Sequence, residues 1–172
     1  MKLIKLLALC LILTSCNAPK AVYDYDSTTN FSTYTTYQLF PDFQSGLSQL
    51  DETRLIASLE KKLQQKGISK SKKPDLYINA YSQERVDRNR SSLGIGIGSG
   101  GRNVGVGVSG GIPIESNRLI LEITIDFINV EKDALIWQAV VETKVNPKAS
   151  PQERRALFNE IVEKALEGYP PE

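Results

Sequence analysis

Apolar residues recur along most of this chain at the spacing of either a helix or a strand. Residues 48–66 carry leucine and isoleucine three and four positions apart, which predicts a helix with one apolar face. Gly67 suits the position just after a helix C-terminus. A second helix is predicted after Ser150, because Pro151 and Glu153 supply the first-turn proline and the third-position acid of a capping box.

Other segments alternate apolar and polar residues, as strands with one buried face do. Strands are predicted over residues 22–26, 33–40, 75–86, 119–130 and 134–145. The last two are expected to pair as an antiparallel hairpin. The predicted order is β-β-α-β-(Gly-rich β-hairpin)-β-β-α. We therefore expect an α+β domain, an antiparallel sheet of about five to seven strands with two helices packed on one face.

Residues 93–112 alternate glycine with aliphatic residues and predict a Gly-rich hairpin. Two stretches fit the GxGxxG pattern of dinucleotide-binding proteins, but that motif requires a following helix, which the sequence does not predict. This hairpin either lays its aliphatic face on the domain or stays partly mobile, or it is a docking surface for a protein partner, a glycan or a membrane. Its weakly specified register also permits self-association. The candidate contact residues are Ile95, Ile97, Arg102, Val104 and Val106, with Arg85, Arg88 and Arg90 beside them.

These arginines have two explanations. They are either solvated, with Glu84 and Asp87 as partners, or they meet lipid phosphates or an anionic polymer. The sequence leaves both open.

The chain begins with the pattern of an exported protein. Lys2 and Lys5 precede an apolar run that is too short to span a bilayer. The next residues resemble a bacterial lipobox, which implies lipid transfer to the Cys16 thiol and cleavage before it. Residues 1–15 are then a signal peptide, and residues 16–21 a lipidated tether. The lipobox residues are Leu13, Thr14, Ser15 and Cys16.

Residue Asn17 bears on the destination. An aspartate at this position favours retention in the inner membrane under the enterobacterial sorting rule, and this chain has asparagine. We therefore expect a lipid anchor in the outer membrane, with the protein facing the periplasm.

The composition excludes several classes of function. The chain has no histidine and two cysteines, Cys10 in the predicted signal peptide and Cys16 at the lipobox, so His-based catalysis and zinc sites are excluded. The 21 basic and 20 acidic residues nearly balance, which argues against a nucleic-acid partner. We expect no enzymatic activity, no cofactor and no metal, although a hydrolase using paired carboxylates is a remaining hypothesis.

Several short segments stand out by their order and spacing along the chain. They are Asp24-Tyr25-Asp26, Phe31 to Tyr37, Lys66-Gly67, Pro74 to Ile78, Ile136-Trp137-Gln138-Ala139 and Tyr169-Pro170-Pro171. Together they resemble the DUF4136 family of bacterial lipoproteins. The resemblance covers nearly all of residues 22–171 and implies that residues 22–172 form a single α+β domain in a periplasmic or outer-membrane lipoprotein. It implies no catalytic residues.

Two hypotheses of binding follow. The first is a non-enzymatic, lipid-anchored envelope protein with a binding or scaffolding role, which contacts a protein or glycan partner through the Gly-rich hairpin. The alternative is a module that binds a glycan or a small apolar ligand. Asp24 and Asp26 suggest a weaker possibility of cation binding. The tyrosines available for stacking against a sugar are Tyr23, Tyr25, Tyr34, Tyr37, Tyr77 and Tyr81.

Overall fold

The computed structural model describes residues 18–92 and 113–171, with side chains over residues 18–86 and 119–171. It contains six strands, two α-helices and one 3-10 turn within those ranges. The elements are β1 (Lys20–Tyr25), a 3-10 turn (Phe31–Thr33), β2 (Thr36–Leu39), α1 (Gln49–Gln65), β3 (Ser69–Lys70), β4 (Leu76–Ser92), β5 (Pro113–Asn129), β6 (Ala134–Val145) and α2 (Pro151–Glu167).

The described strands form one mixed sheet in the order β1-β6-β5-β4-β2-β3. Strands β1, β6, β5 and β4 are antiparallel neighbours, whereas β2 runs parallel to both β4 and β3. The α+β prediction is confirmed, but the prediction of a purely antiparallel sheet is wrong. The reason is that α1 connects β2 to β4 as a crossover, which returns the chain to the starting end of the sheet. The predicted element order is also wrong, because the short strand β3 lies between α1 and β4.

Both helices pack on one face of the sheet, and a single core lies between the two layers. The largest side chains that are wholly buried include Trp137, Phe127 and Phe158. Strand β6 has an irregularity here, because Phe127 pairs with Trp137 while Ile128 pairs with Leu135. The extra residue, Ile136, explains why two consecutive residues of β6 are buried.

The predicted helix ends are confirmed. At α2, the Ser150 hydroxyl accepts from the Glu153 N–H and the Glu153 carboxylate accepts from the Ser150 N–H, which completes the capping box. At α1, Gly67 has a φ of 80°. Its N–H donates to the Gln64 carbonyl and the Ile68 N–H donates to the Leu63 carbonyl, so the helix ends in a Schellman motif.

Candidate functional site

Strands β4 and β5 continue past the rest of the sheet. They pair without interruption from Leu76 opposite Asn129 to Ser92 opposite Pro113, whereas β6 ends with Val145 opposite Leu119. We call residues 87–92 of β4 and residues 113–118 of β5 the arm. Six residues of extended strand correspond to a length of about 20 Å.

The arm is a two-stranded ribbon within the described part of the chain. No third described strand pairs with either of its edges. Backbone N–H and C=O groups along such edges bond to water or to a partner, and isolated two-stranded ribbons are marginally stable in water. The backbone N–H and C=O groups on these edges are therefore paired with no described strand and can bond to groups outside the sheet.

The chain enters the sheet at the end from which the arm leaves. Lys20 pairs with Glu142, Glu142 with Glu122, and Glu122 with Gln83, so these four residues lie in one row across the sheet. Gln83 precedes the arm along β4. Pro19, just before β1, is already buried.

The predicted contact residues are only partly placed. The Arg85 guanidinium donates to Glu142 Oε1 at 2.8 Å across the sheet. Arg88 and Arg90 lie on the arm, where the backbone alone is described. The Gly-rich hairpin predicted at residues 93–112 lies outside the described residues, although Ser92 and Pro113 at its two ends are paired. The other predicted residues outside the described range are Ile95, Ile97, Arg102, Val104, Val106, Leu13, Thr14, Ser15 and Cys16.

The predicted tyrosine set is divided among separate environments. Tyr37 is buried in the core, and burial raises its pKa to about 12. Tyr23 stacks on Trp137, and Tyr34 accepts a hydrogen bond from the Asn129 amide. Tyr81 is exposed on the sheet face opposite the helices. These residues therefore do not form one stacking platform.

The two aspartates considered for cation binding are held locally. Asp26 accepts hydrogen bonds from the Thr28 hydroxyl and N–H and from the Thr29 hydroxyl, and these bonds lower the pKa of its carboxyl. Asp24 accepts from the N–H of Tyr25. Among the described residues, no three potential metal ligands lie close enough together to hold an ion.

A cleft of about 670 Å³ lies where the N-termini of both helices approach β4. On its helix side the Asp51 carboxylate accepts from Arg54 at 2.6 Å and from Arg154 at 2.5 Å, and Asp51 is only 7% exposed. Glu84 lines the β4 side. This ion cluster was not predicted from the sequence. The three-residue spacing of Asp51 and Arg54 predicts an ion pair on one helix face. Arg154 reaches Asp51 only through the tertiary fold, which this spacing does not reveal.

A second cleft, of about 590 Å³, lies at the opposite end of the sheet and is mainly polar. Asp75 on its wall accepts hydrogen bonds from the Thr36 hydroxyl at 2.8 Å and from the N–H groups of Thr35 and Thr36 at 3.0 and 2.9 Å. These bonds, led by that from the Thr36 hydroxyl, lower the pKa of the Asp75 carboxyl. This carboxylate thus fixes the start of β2.

One half-buried carboxylate, that of Asp126, faces away from the helices. Asp126 accepts from the Gln138 amide at 2.8 Å on the neighbouring strand, and burial raises the pKa of its carboxyl.

Within the described residues, no helix is both long and apolar enough to cross a bilayer.

Comparison with known proteins supports the fold and identifies a family. A crystal structure of a PDZ domain protein from Parabacteroides distasonis has a TM-score of 0.53 at 15% identity, over 96% of this chain and 39% of that one. This chain therefore spans about 39% of that protein's length. Because the identity is so low, this likeness shows the fold alone.

Two further structures are more distant. The PelC dodecamer from Paraburkholderia phytofirmans has a TM-score of 0.49 at 9% identity, over 86% of this chain and 94% of that one. A minor lipoprotein from Acinetobacter baumannii has a TM-score of 0.33 at 11% identity, over 78% and 87%. No curated protein matches the chain. The family model described as "Domain of unknown function (DUF4136)" matches residues 21–171, so the expected resemblance is confirmed and the chain belongs to the DUF4136 family.

Proposed function

We propose that this protein is a non-enzymatic, lipid-anchored protein of the bacterial cell envelope that holds a partner through the arm. The observation that carries the proposal is the length of the β4–β5 pair, which runs six residue pairs beyond Leu119, where β6 stops. A ribbon with two open edges gains stability when a partner covers it. The arm therefore supports a binding or scaffolding role better than a catalytic one.

The anchor part of the proposal rests on the lipobox at residues 13–16. A thiol that follows one apolar and two small residues, after a charged start and a short apolar run, fits lipid transfer to Cys16. Several acyl chains on one residue anchor a protein far more firmly than one chain does. Asn17 favours the outer membrane, with the domain facing the periplasm.

The bonding partners and pKa shifts of the described carboxylates support a protein without catalytic activity. Asp51 is bonded to two guanidinium groups, and Asp26 and Asp75 accept several hydrogen bonds that close local turns or fix strands. A general acid or base needs a pKa near the working pH. The lowered pKa values of Asp26 and Asp75 are the opposite of what such a role requires. Burial raises the pKa of Asp126, but its carboxylate is bonded to the Gln138 amide and lines neither of the two clefts. The chain has no histidine.

Crosslinking from the native, anchored protein in cells tests the proposal. A photoreactive amino acid at Ser91, in the arm, is expected to crosslink to an envelope component. The same group at Glu131, in the exposed turn at the far end of the sheet, is the control. If the Ser91 and Glu131 positions give the same products, the arm has no docking role.

The anchor is tested separately. Cys16→Ala is expected to lose labelling by a radioactive fatty acid and to leave the membrane fraction. A variant that keeps both properties would contradict lipid attachment at Cys16.

The second candidate function is binding of a glycan, and one observation favours it. The 590 Å³ cleft is lined by hydroxyl, amide and carboxylate groups, including those of Thr33, Tyr34 and Asn129. Such groups match the hydroxyls of a sugar. A thermal-shift titration with peptidoglycan fragments tests this candidate, because a ligand bound to the folded state raises the melting temperature. No shift in wild type, or an equal shift in Asn129→Ala, would end it.

A further inference from the structure

Strand β1 begins at the end of the sheet from which the arm leaves. Strands β1 and β4 run in opposite directions, because each of the pairs β1–β6, β6–β5 and β5–β4 is antiparallel. The chain therefore enters β1 at the end of the sheet towards which β4 runs. Lys20, the first residue of β1, lies in the same row as Gln83.

The tether is shorter than the arm. Lys20 lies four positions after Cys16, a distance of at most about 14 Å even when the chain is fully extended. Pro19 is already buried, so only residues 17 and 18 lie between Cys16 and the packed domain. Along β4, Ser92 lies nine positions beyond Gln83 in the row of Lys20, which corresponds to about 30 Å of strand beyond that row. With a lipid on Cys16, the distance from the bilayer to the base of the arm is therefore smaller than the length of the arm.

Building on the proposed anchor and arm, we propose that the partner of the arm is the membrane leaflet that holds the Cys16 lipid. The short tether leaves the arm no room to point at the bilayer without touching it. The arm therefore lies along the leaflet surface or enters its headgroup layer.

The arm sequence suits the headgroup layer rather than the hydrocarbon core. It contains Arg88, Arg90 and Arg118 against Asp87 and Glu115, and most of its other residues are polar. Guanidinium groups bind phosphate oxygens, and basic residues near an anionic leaflet are attracted to it. The two backbone edges, which no described strand covers, find water and phosphate partners at this depth, whereas hydrocarbon would offer them none.

The test measures how close the arm comes to lipid headgroups. The full lipidated protein carries a Ser91→Cys or a Glu131→Cys substitution, and the new thiol bears a fluorophore. Wild-type Cys10 leaves with the signal peptide and the Cys16 sulfur is blocked by lipid, so each variant has one reactive thiol. The proteins are reconstituted into phosphatidylethanolamine–phosphatidylglycerol vesicles that contain a lipid with a spin-labelled headgroup.

We expect the label at position 91 to be quenched at least about twofold more than the label at position 131, because the β5–β6 turn lies about 35 Å along β5 from the base of the arm. The combined Arg88→Gln and Arg90→Gln substitutions are expected to reduce the quenching. The matched control is Arg155→Gln, which removes an exposed charge from α2 and is expected to leave the quenching unchanged. Equal quenching at the two labels would overturn the membrane contact.

The outcomes also separate this inference from the proposed function. Protein crosslinks at Ser91 without lipid quenching would leave the docking role standing with a protein as the partner, and would overturn the membrane contact. Neither crosslinks nor quenching would overturn both proposals.

Discussion

The ring of Tyr23 on β1 lies directly against the backbone of Gly168, the residue that ends α2. A Cβ atom at Gly168 would lie only 2.8 Å from Cδ1 and Cε1 of the tyrosine ring. The Tyr23 hydroxyl also donates to the Lys164 carbonyl at 2.6 Å, and its ring stacks on Trp137. The first strand of the domain is thus fastened to its last helix.

This contact predicts that Gly168→Ala destabilises the fold by about 1–3 kcal/mol, because the added methyl group has no space. Thermal and urea unfolding measure the loss. In a Tyr23→Ala background the same substitution is expected to have little further effect. Gly67→Ala is the control, because nothing lies within 4 Å of its added Cβ. Its φ of 80° is strained for alanine, so we expect a loss of stability of about 1 kcal/mol that does not depend on Tyr23. Equal losses for Gly168→Ala in both backgrounds would refute the steric explanation.

The hydroxyl groups of Tyr169, which is buried, and Tyr23, which is half-buried, are expected to affect stability differently when each is removed. Tyr169 is 3% exposed and its hydroxyl has no hydrogen-bond partner among the described residues. Tyr169→Phe is therefore expected to leave stability unchanged or raise it by up to about 1 kcal/mol. Tyr23→Phe removes the bond to Lys164 and is expected to lower stability by about 1 kcal/mol. A clear loss with Tyr169→Phe would show that this hydroxyl has a partner after all.

Asp75 predicts a dependence of stability on pH. Its folded pKa lies below the ordinary value of 3.8, so its ionised form stabilises the fold above that pH. The contribution is lost as the pH falls from about 5 through the lowered folded pKa. The melting temperature of Asp75→Asn should therefore fall short of wild type at neutral pH and approach it in acid. Asp42→Asn, an exposed position, is the control and should match wild type throughout. A deficit that is the same at every pH would contradict this role for the carboxylate.

The Asp51 cluster predicts an asymmetry between its members. Asp51→Asn leaves two guanidinium groups side by side in a partly buried site and is expected to lower stability by about 2–4 kcal/mol. Arg154→Gln preserves the Asp51–Arg54 pair and is expected to lower it by less than half as much. The neighbouring Arg155→Gln, which is exposed, should have no effect. Denaturant titration ranks the three, and equal losses for Asp51→Asn and Arg154→Gln would contradict the shared-carboxylate geometry.

Local chemistry in the sequence predicted the helices well, because the information lies within a few residues. Ser150, Glu153 and Gly67 specify their helix ends with groups that bond to neighbouring backbone. The strand predicted over residues 33–40 begins only at Thr36, because a 3-10 turn over Phe31–Thr33 precedes it. Asn30 caps this turn by accepting from the N–H of Ser32. The turn propensity of that asparagine exceeds the strand preference of the threonines.

Features that depend on distant parts of the chain were not predictable in this way. The direction of β2 depends on where α1 returns the chain, which no local pattern encodes. Strand β4 was predicted to end at residue 86, because residues 87–92 do not alternate, but pairing with residues 113–118 extends it. The bond between Asp51 and Arg154 joins residues 103 positions apart.

The position of β1 also determines how the domain bears a mechanical load. In an anchored protein, a pull on the lipid acts along the axis of β1, whose six residues pair with β6 from Lys20 to Tyr25. Force in that direction shears the ladder, so all of its hydrogen bonds resist together instead of opening one at a time. We therefore expect the domain to stay folded when a pull on the lipid acts along β1.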